Sequence, residues 1–416
     1  MGTAGLDSKQ NRGNIGVVFK ALLLESVHPD AKTILESAGL EVATQAGALD
    51  ESELITALEG VHILAIRSKT QITAKVLEAH PQLVAIGVFG IGTNHVDLAA
   101  AAERGIAVFN APFSNTRSVV ELAIAEIIGL SRRLTEVSGA LHAGTWDKSA
   151  DGAHEIRGRT LGIVGYGNIG TQLSVLAENL GLSVIFYDTS EKLALGNARR
   201  VETLDELLGA ADIVTLHVDG RSGNAGLFGA EQFNQMKQGS LFLNLSRGFV
   251  VDYEPLKAAI EEGRIVGAAV DVFPNEPKKR GDNFDSPLRG LPNTILTPHI
   301  GGSTEEAQEA IGHFVAGKLK DYLATGSTTL SVNLPALALP ASPGGHRLTL
   351  LHRNTPGVLA KVNATLAEYG ENIQSQLLAT SGDLGYVVTD ASDDIHEGVI
   401  PVLEALPETV RLRVLN

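Results

Sequence analysis

The chain has 416 residues, of which 48 are acidic and 33 basic, so its formal net charge is −15 at pH 7. This length suggests about two to three domains, and the acidic balance argues against a nucleic-acid partner. The sequence contains no cysteine, which excludes disulfides, zinc–thiolate sites, iron–sulfur clusters and a cysteine nucleophile. We expect no metal site.

No apolar run reaches the ~18 residues that a membrane-spanning helix needs. The longest candidate, residues 119–130, is interrupted by Glu121 and Glu126. The N-terminal segment 1–13 is polar and has no apolar core, so we expect a flexible tail rather than a signal peptide. We therefore predict a cytoplasmic protein with no membrane partner.

Apolar, β-branched runs alternate with helix-like stretches through the first 300 residues, a pattern typical of βαβ units around a parallel sheet. The rhythm occurs twice and predicts two doubly wound, Rossmann-like α/β domains. The predicted strands are 14–24, 62–66, 83–88 and 107–109, then 159–164, 183–187, 213–217, 240–244 and 267–272. A four-residue apolar spacing predicts a helix over 303–322.

The composition changes near Gly326. Residues 326–345 are rich in Gly, Ser and Pro, which predicts a linker. The remaining segments follow the order βαββαβ, which predicts a ferredoxin-like domain. Its predicted strands are 346–353, 372–379, 386–389 and 409–415, and its predicted helices are 357–370 and 393–406.

The segment 160–170, TLGIVGYGNIG, joins an apolar strand to a glycine-rich turn and then to a helical pattern over 171–180. Gly165 would permit the tight turn, Gly167 would let the backbone approach a pyrophosphate, and Gly170 would allow close helix–strand packing. Asp188, after the next strand, would accept hydrogen bonds from ribose hydroxyls and repel a 2′-phosphate, which favours NAD over NADP. A glycine-rich turn in an ordinary βα unit is the alternative, but strand, helix and acid together favour the cofactor site.

Three polar residues follow predicted strands of the second unit: Arg247 in NLSRG, Glu276 in DVFPNEP and His299 in LTPHIGG. Ligands of open parallel sheets bind beyond the C-terminal ends of the strands, so we expect these side chains to share one cleft. Histidine can take a hydroxyl proton as hydride leaves for nicotinamide, and a neighbouring carboxylate favours its imidazolium form. Arginine can bind a carboxylate through two parallel hydrogen bonds. Each residue alone is more often structural, but the set favours alcohol oxidation.

The order GYGNIG, SRG, DVFPNEP, TPHIGG resembles the D-isomer-specific 2-hydroxyacid dehydrogenase family, whose catalytic Arg, Glu and His match Arg247, Glu276 and His299. The family fold implies a cofactor domain inserted in a split substrate domain. The implied divisions are a tail at 1–13, a substrate domain at 14–114 and 302–344, an NAD-binding domain at 115–301 and a regulatory ACT domain at 345–416.

Residues 84–121 and the C-terminal unit are similar to the short bacterial branch of the family, which carries an ACT domain and oxidises 3-phosphoglycerate to 3-phosphohydroxypyruvate in serine biosynthesis. The resemblance implies NAD contacts along the motifs already quoted. These positions are Gly165, Gly167, Asn168, Ile169, Gly170, Asp188, His217, Ser246, Arg247, Asp271, His299, Gly301 and Gly302.

The resemblance also implies substrate contacts beyond Arg247 and His299. Arg67 and Lys69 match a cationic pair, which would suit a substrate phosphate, and Asn115 matches a substrate-contacting position. Lys148 lies near Trp146 in a segment that packs at the cofactor-domain dimer interface of the family. A solvated surface lysine and simple interface packing of Trp146 are equally open alternatives.

The segment after His217 departs from the family pattern. Asp219 stands where the family usually has proline, in the sequence HVDGRSGNAGLFG. The cofactor contacts of residues 218–226 are therefore in doubt, and we expect Arg221 to pair with Asp219.

His352, Asn354 and Asn372 match the serine-binding positions of regulated family members, which implies feedback inhibition by L-serine. A purely dimerising ACT module is the alternative. Two interfaces, at the cofactor and ACT domains, imply a homotetramer. Rival functions are reduction of another 2-oxo acid, such as 2-oxoglutarate, hydroxypyruvate or glyoxylate, and NADH sensing without catalysis.

Overall fold

The computed structural model describes residues 18–277, 281–340, 346–391 and 395–415, so the predicted tail 1–13 lies outside the described residues. The chain divides into two compact units. One comprises Met1–Pro112 and Glu309–Asn416, and the other comprises Phe113–Gln308.

The first unit begins with a five-stranded parallel sheet in the order β2-β1-β3-β4-β5. Its strands are β1 Lys20–Leu23, β2 Glu41–Thr44, β3 Ile63–Ile66, β4 Ala85–Val88 and β5 Ala107–Phe109, and its helices are α1 Pro29–Ser37, α2 Glu51–Ala57, α3 Ala74–Ala79 and α4 Leu98–Glu103. Both faces of the sheet are buried: Ile63 and Ala65 belong to one apolar cluster, Leu64 and Ile66 to another. Within the described residues the predicted strands 14–24, 62–66 and 83–88 are shorter, and positions 14–17 of the first lie outside the described residues. Strand β2 was not predicted, because it is an edge strand with no buried residue.

The second unit contains a seven-stranded parallel sheet in the order β12-β11-β10-β9-β6-β7-β8. Its strands are β6 Thr160–Val164, β7 Ser183–Tyr187, β8 Arg199–Arg200, β9 Ile213–Leu216, β10 Ser240–Asn244, β11 Ile265–Val270 and β12 Thr294–Leu296. Its helices are α5 Thr116–Ser131, α6 Leu134–His142, α7 Asn168–Asn179, α8 Leu204–Ala210, α9 Ala230–Gln235 and α10 Tyr253–Glu261. The strand order reverses between β6 and β9, which is where ligands of such sheets bind.

Helix α11, Glu305–Thr325, was predicted over 303–322. From Glu309 onward its residues belong to the first unit. Val315 and Leu319 are fully buried in an apolar cluster that includes Ile63 and Ala65 of β3. The four-residue apolar spacing was therefore a correct sign of a helix packed on a sheet.

The segment 326–345, whose composition is typical of a linker, packs against the first unit in the part that the structure describes. Val332 donates to the carbonyl of Val108 at 2.9 Å, and the Asn333 side chain bonds to both Val108 and Ile106 at 2.9 Å. Thr328 is fully buried. Glycine and proline removed the periodicity of a helix or strand, but they did not prevent this segment from packing along β5. Residues 341–345 lie outside the described residues.

The C-terminal part of the first unit is an antiparallel sheet in the order β14-β15-β13-β16, with two helices. Its elements are β13 Arg347–Arg353, α12 Val358–Glu368, β14 Ile373–Ser381, β15 Leu384–Ala391, α13 Val399–Glu404 and β16 Thr409–Leu415. The predicted βαββαβ order is confirmed, and with it the predicted fold class of two Rossmann-like domains plus a ferredoxin-like ACT domain. Helix α13 is shorter than the predicted 393–406, and residues 393 and 394 lie outside the described residues.

This antiparallel domain is fixed to the rest of the first unit by two arginines, of which Arg347 is buried and Arg411 is half-buried. Arg347 binds Asp390 through two hydrogen bonds of 2.6 and 3.0 Å and also donates to the carbonyls of Thr325 and Pro340. Arg411 donates to the carbonyl of Leu83 at 2.7 Å. None of the helices in the described part of the chain combines the length and the hydropathy that a membrane span requires.

Candidate active site

The glycine-rich turn follows β6 and leads directly into α7. Gly165 has a φ of +93°, and a Cβ atom there would lie 2.7 Å from the carbonyl oxygen of His217. A Cβ at Gly170 would overlap the carbonyl of Gly165, whereas a Cβ at Gly167 would meet no atom of the described chain within 4 Å. The turn therefore has the geometry expected for each glycine, with open space beside Gly167.

Helix α7 begins at Asn168, earlier than the predicted 171. Asn168, Ile169 and Gly170 consequently form its first turn, whose N–H groups have no acceptor within the helix. Such N–H groups, together with the positive end of the helix dipole, suit the negative charge of a pyrophosphate.

Asp188 follows β7 and lies next to this turn. Its Oδ2 accepts a hydrogen bond from the Tyr166 N–H at 2.9 Å, and its Oδ1 accepts from the N–H and hydroxyl of Ser190, each at 2.9 Å. Burial raises the pKa of Asp188, but the hydrogen bonds from Ser190 and Tyr166 outweigh it, so the pKa lies below the ordinary aspartate value. The carboxylate is ionised at neutral pH and held in one orientation.

His217 follows β9, across the strand-order reversal from Gly165. Its Nε2 lies 3.0 Å from the hydroxyl of Thr215, and its buried Nδ1 has no partner among the described residues. Burial lowers the pKa of His217 to about 3, so the imidazole is neutral. A neutral ring with one free nitrogen can accept or donate a hydrogen bond to a ligand.

Arg247 is placed by the turn that follows β10. The N–H and hydroxyl of Ser246 both donate to Oδ1 of Asn244, at 3.1 and 2.8 Å. A Cβ atom at Gly248 would overlap the main chain of Phe273, so only glycine fits there. This close contact brings the Arg247 turn against the Phe273 loop. Burial lowers the pKa of Arg247, yet a guanidinium remains protonated in any protein setting.

Glu276 and His299 form a direct pair. The Nδ1 of His299 lies 3.0 Å from Oε1 and 2.9 Å from Oε2 of Glu276, and Oε1 also accepts from the Phe273 N–H at 3.1 Å. The hydrogen bond that the His299 Nδ1–H donates to Glu276 raises the pKa of His299 above its ordinary value, although burial opposes it. Burial raises the pKa of Glu276, but the hydrogen bonds from His299 and the Phe273 N–H, together with the charges of His299 and Arg247, outweigh it, so the pKa lies below the ordinary glutamate value. The Nε2 of His299 has no hydrogen-bond partner in the described part of the chain, so it is free to exchange a proton with a ligand.

Asp271 fixes the loop that carries His299. The buried carboxylate accepts from the N–H groups of Ile300 and Gly301, each at 2.8 Å, and from the hydroxyl of Thr297 at 2.6 Å. His299 has a φ of +55°, which is uncommon for a residue other than glycine. The structure therefore gives Asp271, which the resemblance links to the cofactor, a role in holding this strained loop.

Two further residues, one just before α5 and one within it, lie near parts of this site. Asn115 lies at the start of α5, and its side chain closely contacts Gly302. Glu126 is buried, and neither of its carboxylate oxygens has a hydrogen-bond partner among the described residues. Burial and the charge of Asp271 raise the pKa of Glu126 to about 8. In the sequence, the one indication that Glu126 is unusual is its position as an acid within the mainly apolar run 119–130.

The loop after β9 is held by its own charges. Arg221 donates through Nε to both carboxylate oxygens of Asp219, at 2.7 and 3.0 Å, as the sequence predicts. The Asn224 side chain donates to the main-chain carbonyl of Asp219 at 3.0 Å. Asp219 therefore folds the loop locally, in place of the proline of the family pattern.

Arg67 and Lys69 lie in the first unit, in the loop after β3. Arg67 is half-buried and Lys69 is exposed. The buried carboxylate of Glu25 accepts hydrogen bonds from three successive N–H groups of this loop, a contact that no local sequence pattern indicated.

The remaining predicted site residues lie elsewhere. Lys148 is exposed, and Trp146 exposes 80% of its surface. His352 is buried at the end of β13, with Nδ1 2.8 Å from the carbonyl of Arg353, whereas Asn372 is exposed. The side chain of Asn354 donates to the carbonyl of Gly382 at 3.2 Å.

One further group of residues, in the first unit, has the donors of a metal site. Asp30, Glu309 and His313 offer ligand atoms within 4.8 Å of one another. The Nε2 of His313 already lies 2.6 Å from Oδ2 of Asp30, and Glu309 and His313 are exposed. The hydrogen-bond contact between His313 and Asp30 accounts for the proximity of these two side chains.

Two family descriptions match the chain. "D-isomer specific 2-hydroxyacid dehydrogenase, NAD binding domain" matches residues 124–301, and "AHAS small subunit-like ACT domain" matches residues 348–411. The first contains Arg247, Glu276 and His299, and the second contains most of the antiparallel domain.

Solved structures of the same fold cover the larger part of the chain. A D-lactate dehydrogenase from Aquifex aeolicus, complexed with NAD and lactic acid, is 26% identical with a TM-score of 0.64, covering 73% of this chain and 95% of that one. An NADPH-dependent glyoxylate/hydroxypyruvate reductase from Sinorhizobium meliloti, in complex with NADP and malonate, is 27% identical with a TM-score of 0.65, covering 77% and 97%.

Curated relatives are similar over almost their entire length. D-3-phosphoglycerate dehydrogenase of Escherichia coli K12 is 50% identical over 400 residues, which is 95% of this chain and 97% of the relative. Proteins of the same name from Haemophilus influenzae and Dictyostelium discoideum are 48% and 46% identical, with the same shares covered. The chain therefore belongs to the D-isomer-specific 2-hydroxyacid dehydrogenase family and, within it, to the D-3-phosphoglycerate dehydrogenases.

Proposed function

We propose that this protein oxidises 3-phospho-D-glycerate to 3-phosphohydroxypyruvate with NAD, the first step of phosphorylated serine biosynthesis. The observation that carries the proposal is the His299–Glu276 pair, with Nδ1 2.9 Å from Oε2, in the same unit as a glycine-rich dinucleotide turn. The names of the curated relatives support the choice of substrate.

The residues around the turn fit NAD. Open space lies beside Gly167, the first turn of α7 presents free N–H groups, and the buried Nδ1 of His217 has no partner within the described residues. The ionised Asp188 suits the ribose hydroxyls of NAD and would repel the 2′-phosphate of NADP. When bound, NAD supplies the acceptor for the hydride.

His299 acts as the acid and base of the reaction. In oxidation its free Nε2 takes the proton of the 2-hydroxyl as the C2–H bond breaks and the hydride leaves. The imidazolium so formed is stabilised by the Glu276 carboxylate, which also fixes the ring through Nδ1. In the reverse direction the same nitrogen returns the proton to the carbonyl oxygen.

We propose that Arg247 binds the substrate carboxylate and polarises the carbonyl in the reverse direction, because a guanidinium matches a carboxylate with two parallel hydrogen bonds. We assign the phosphate to Arg67 and Lys69, with Asn115 as a further contact. Lys148 and Trp146 remain a predicted contribution to a neighbouring subunit. The predicted division at 115–301 is supported by the compact unit Phe113–Gln308.

Initial rates with NADH and a panel of 2-oxo acids test this proposal. We expect 3-phosphohydroxypyruvate to be reduced with a kcat/KM at least tenfold above those of hydroxypyruvate, glyoxylate and 2-oxoglutarate, since a lost charged contact costs about this much or more. If the protein prefers an oxo acid without a phosphate, that acid would be the substrate instead of 3-phosphohydroxypyruvate. If it reduces none of the oxo acids, an NADH-sensing protein without catalysis would be favoured.

We further propose that L-serine binds the ACT domain at His352, Asn354 and Asn372 and inhibits the enzyme. Backbone N–H groups at the start of α12 and side-chain amides could bind the carboxylate and ammonium of an amino acid. Calorimetry with L-serine, with D-serine as control, tests binding. Rates measured with both enantiomers test inhibition.

Exposed apolar surfaces support a homotetramer. Helix α6 exposes Leu134 and Leu141, close in sequence to Trp146, and strand β14 exposes Leu377 and Leu378. Two separate apolar surfaces can form two isologous interfaces, which close a dimer of dimers. Sedimentation equilibrium should give four chains. Lys substitutions at Leu377 and Leu378 should give dimers.

The cytoplasmic location stays a prediction.

A further inference from the structure

The loop that carries Arg67 and Lys69 is fixed by a carboxylate from the segment after the neighbouring strand. Glu25 lies two residues beyond the last residue of β1, the strand that pairs with β3. It is 8% exposed. Its Oε2 accepts from the N–H groups of Ser68 and Lys69 at 2.9 and 3.0 Å, and its Oε1 accepts from the N–H of Thr70 at 2.8 Å. One carboxylate thus fixes three successive peptide units.

The backbone at Glu25 is itself unusual. Glu25 and Ser26 have φ values of 60° and 54°, in the left-handed region that residues other than glycine rarely adopt. The strained turn is tied down by the bond from the Glu25 N–H to the carbonyl of Gly47 at 3.2 Å. Such strain persists only where the surrounding structure holds it, and it occurs preferentially at functional sites.

A second buried residue binds the segment directly after this loop. His95 is 5% exposed, and its main-chain carbonyl accepts a hydrogen bond from the Ile72 N–H at 2.8 Å. The carbonyl of Ile72 in turn accepts from the Asp97 N–H at 2.9 Å. Burial lowers the pKa of His95, although the charge of Glu25 opposes it. The chain that carries the two cations is therefore fixed by Glu25 at residues 68–70 and by main-chain hydrogen bonds at Ile72.

The side chains of the two cations in this loop take no part in these hydrogen bonds. Among the described residues, neither Arg67 nor Lys69 forms an ion pair with an acid, although the ionised Glu25 lies directly behind their backbone. The carboxylate is saturated by main-chain N–H groups. The side chains of Arg67 and Lys69 are thus left for an external anion.

We infer that Glu25 is a positioning residue that presents Arg67 and Lys69 to the phosphate of the substrate and so sets the preference for a phosphorylated acid. This inference rests on the proposed function. Glu25 itself does not touch the substrate. Its effect passes through the conformation of the loop, so it should act on the binding of phosphorylated substrates and leave other steps unchanged.

The variant Glu25→Gln tests this role. The amide keeps the shape of the side chain but turns an NH₂ group toward at least one of the three N–H donors. We expect the KM for 3-phosphohydroxypyruvate to rise about tenfold with kcat changed less than threefold. The kcat/KM for hydroxypyruvate and the Kd of NADH should change less than twofold, because neither involves the phosphate.

Asp50→Asn is the matched control, because Asp50 also accepts a main-chain N–H, from Glu53 at 2.9 Å, but caps α2 in the same unit. It should leave the ratio of kcat/KM values for the two oxo acids unchanged. Glu25→Asp keeps the charge and should give a smaller loss of this ratio, and it replaces Glu25→Gln if that variant does not fold.

The outcomes are distinguishable. If the wild-type protein shows no preference for the phosphorylated acid, the proposed function fails and this inference falls with it. If the wild-type protein shows the preference and Glu25→Gln keeps it, or loses activity equally on both oxo acids, the inference alone is overturned.

Discussion

The Nδ1 of His299 lies within 3.0 Å of both carboxylate oxygens of Glu276, while its Nε2 has no partner among the described residues. One ring nitrogen is therefore committed to the carboxylate and the other is available for the substrate. The pair also determines the charge of the ring, because the hydrogen bond that His299 donates to Glu276 raises the pKa of His299 against the effect of burial.

The raised pKa of His299 gives a prediction for pH dependence. Oxidation needs the neutral ring, so its kcat/KM should rise as the pH increases through the raised pKa. Reduction needs the imidazolium, so it should be favoured below that pKa and decline above it. Glu276→Gln removes the charge and should shift both profiles to lower pH. The test is the pH profile of kcat/KM in both directions for wild type and for Glu276→Gln. Unchanged midpoints in the variant would contradict this role of Glu276.

Substitution of either reacting side chain should remove the chemistry and keep the cofactor. His299→Ala should lower kcat by about 10²–10⁴-fold, the usual contribution of a general acid–base group. Arg247→Ala should lower kcat/KM for the oxo acid by a similar factor, because the substrate carboxylate loses a bidentate partner. NADH titration by fluorescence should give Kd values within about threefold of wild type. Near-normal turnover in either variant would show that the substituted residue is not catalytic.

Asp188 should determine which cofactor is used. Asp188→Ala removes the acceptor for the ribose hydroxyls and the charge that repels a 2′-phosphate. We expect kcat/KM with NADH to fall about tenfold and kcat/KM with NADPH to rise. The control Asp205→Ala removes an acid from the first turn of α8 in the same unit. An unchanged NADH/NADPH ratio in Asp188→Ala would exclude this role.

Gly248 should be irreplaceable. In Gly248→Ala the new Cβ overlaps the main chain of Phe273, which cannot move like the end of a flexible side chain. We expect a loss of about 1–3 kcal/mol in the free energy of unfolding, together with lower activity, because the Arg247 turn is displaced. Gly209→Ala on α8 meets no described atom within 4 Å and should be neutral or stabilising. Denaturant unfolding measures the free energy of unfolding of both variants. Equal stabilities of Gly248→Ala and Gly209→Ala would refute the prediction.

Glu126 should make stability depend on pH. Its pKa is about 8 in the folded protein, so the folded state binds a proton that the unfolded state releases above the ordinary pKa of glutamate. Stability should therefore decrease as the pH rises from that value to about 8, by up to about 5 kcal/mol. Glu126→Gln cannot ionise and should remove this decrease. The test is the free energy of unfolding of wild type and Glu126→Gln at pH 5 and pH 8. The same change with pH in both proteins would disprove the role of Glu126.

The sequence was most informative where function depends on a short motif. Gly165, Gly167 and Gly170 were predicted with their separate reasons, because backbone geometry at a tight turn depends on the residue itself. Arg247, Glu276 and His299 were predicted to meet because each follows a strand of one parallel sheet. The βαββαβ order followed from regular apolar spacing.

The sequence was least informative where a contact joins distant segments. Glu25 binds the loop at 68–70, and no local pattern marks an acid whose partners are main-chain N–H groups. Asn333 packs along β5 from a segment whose composition is typical of a linker. Strand β2 has no buried side chain, so it lacks the apolar run by which its neighbours were predicted. Each of these features depends on hydrogen bonds to the backbone, which every residue type provides.

Initial rates of NADH oxidation with 3-phosphohydroxypyruvate, measured in parallel for wild type and His299→Ala, test the proposed reaction most directly. We expect rapid turnover by the wild-type protein and a loss of at least about a hundredfold in the variant, with NADH binding retained in both. Turnover that is absent in the wild-type protein, or unchanged in His299→Ala, would contradict the proposed reaction or its acid–base residue.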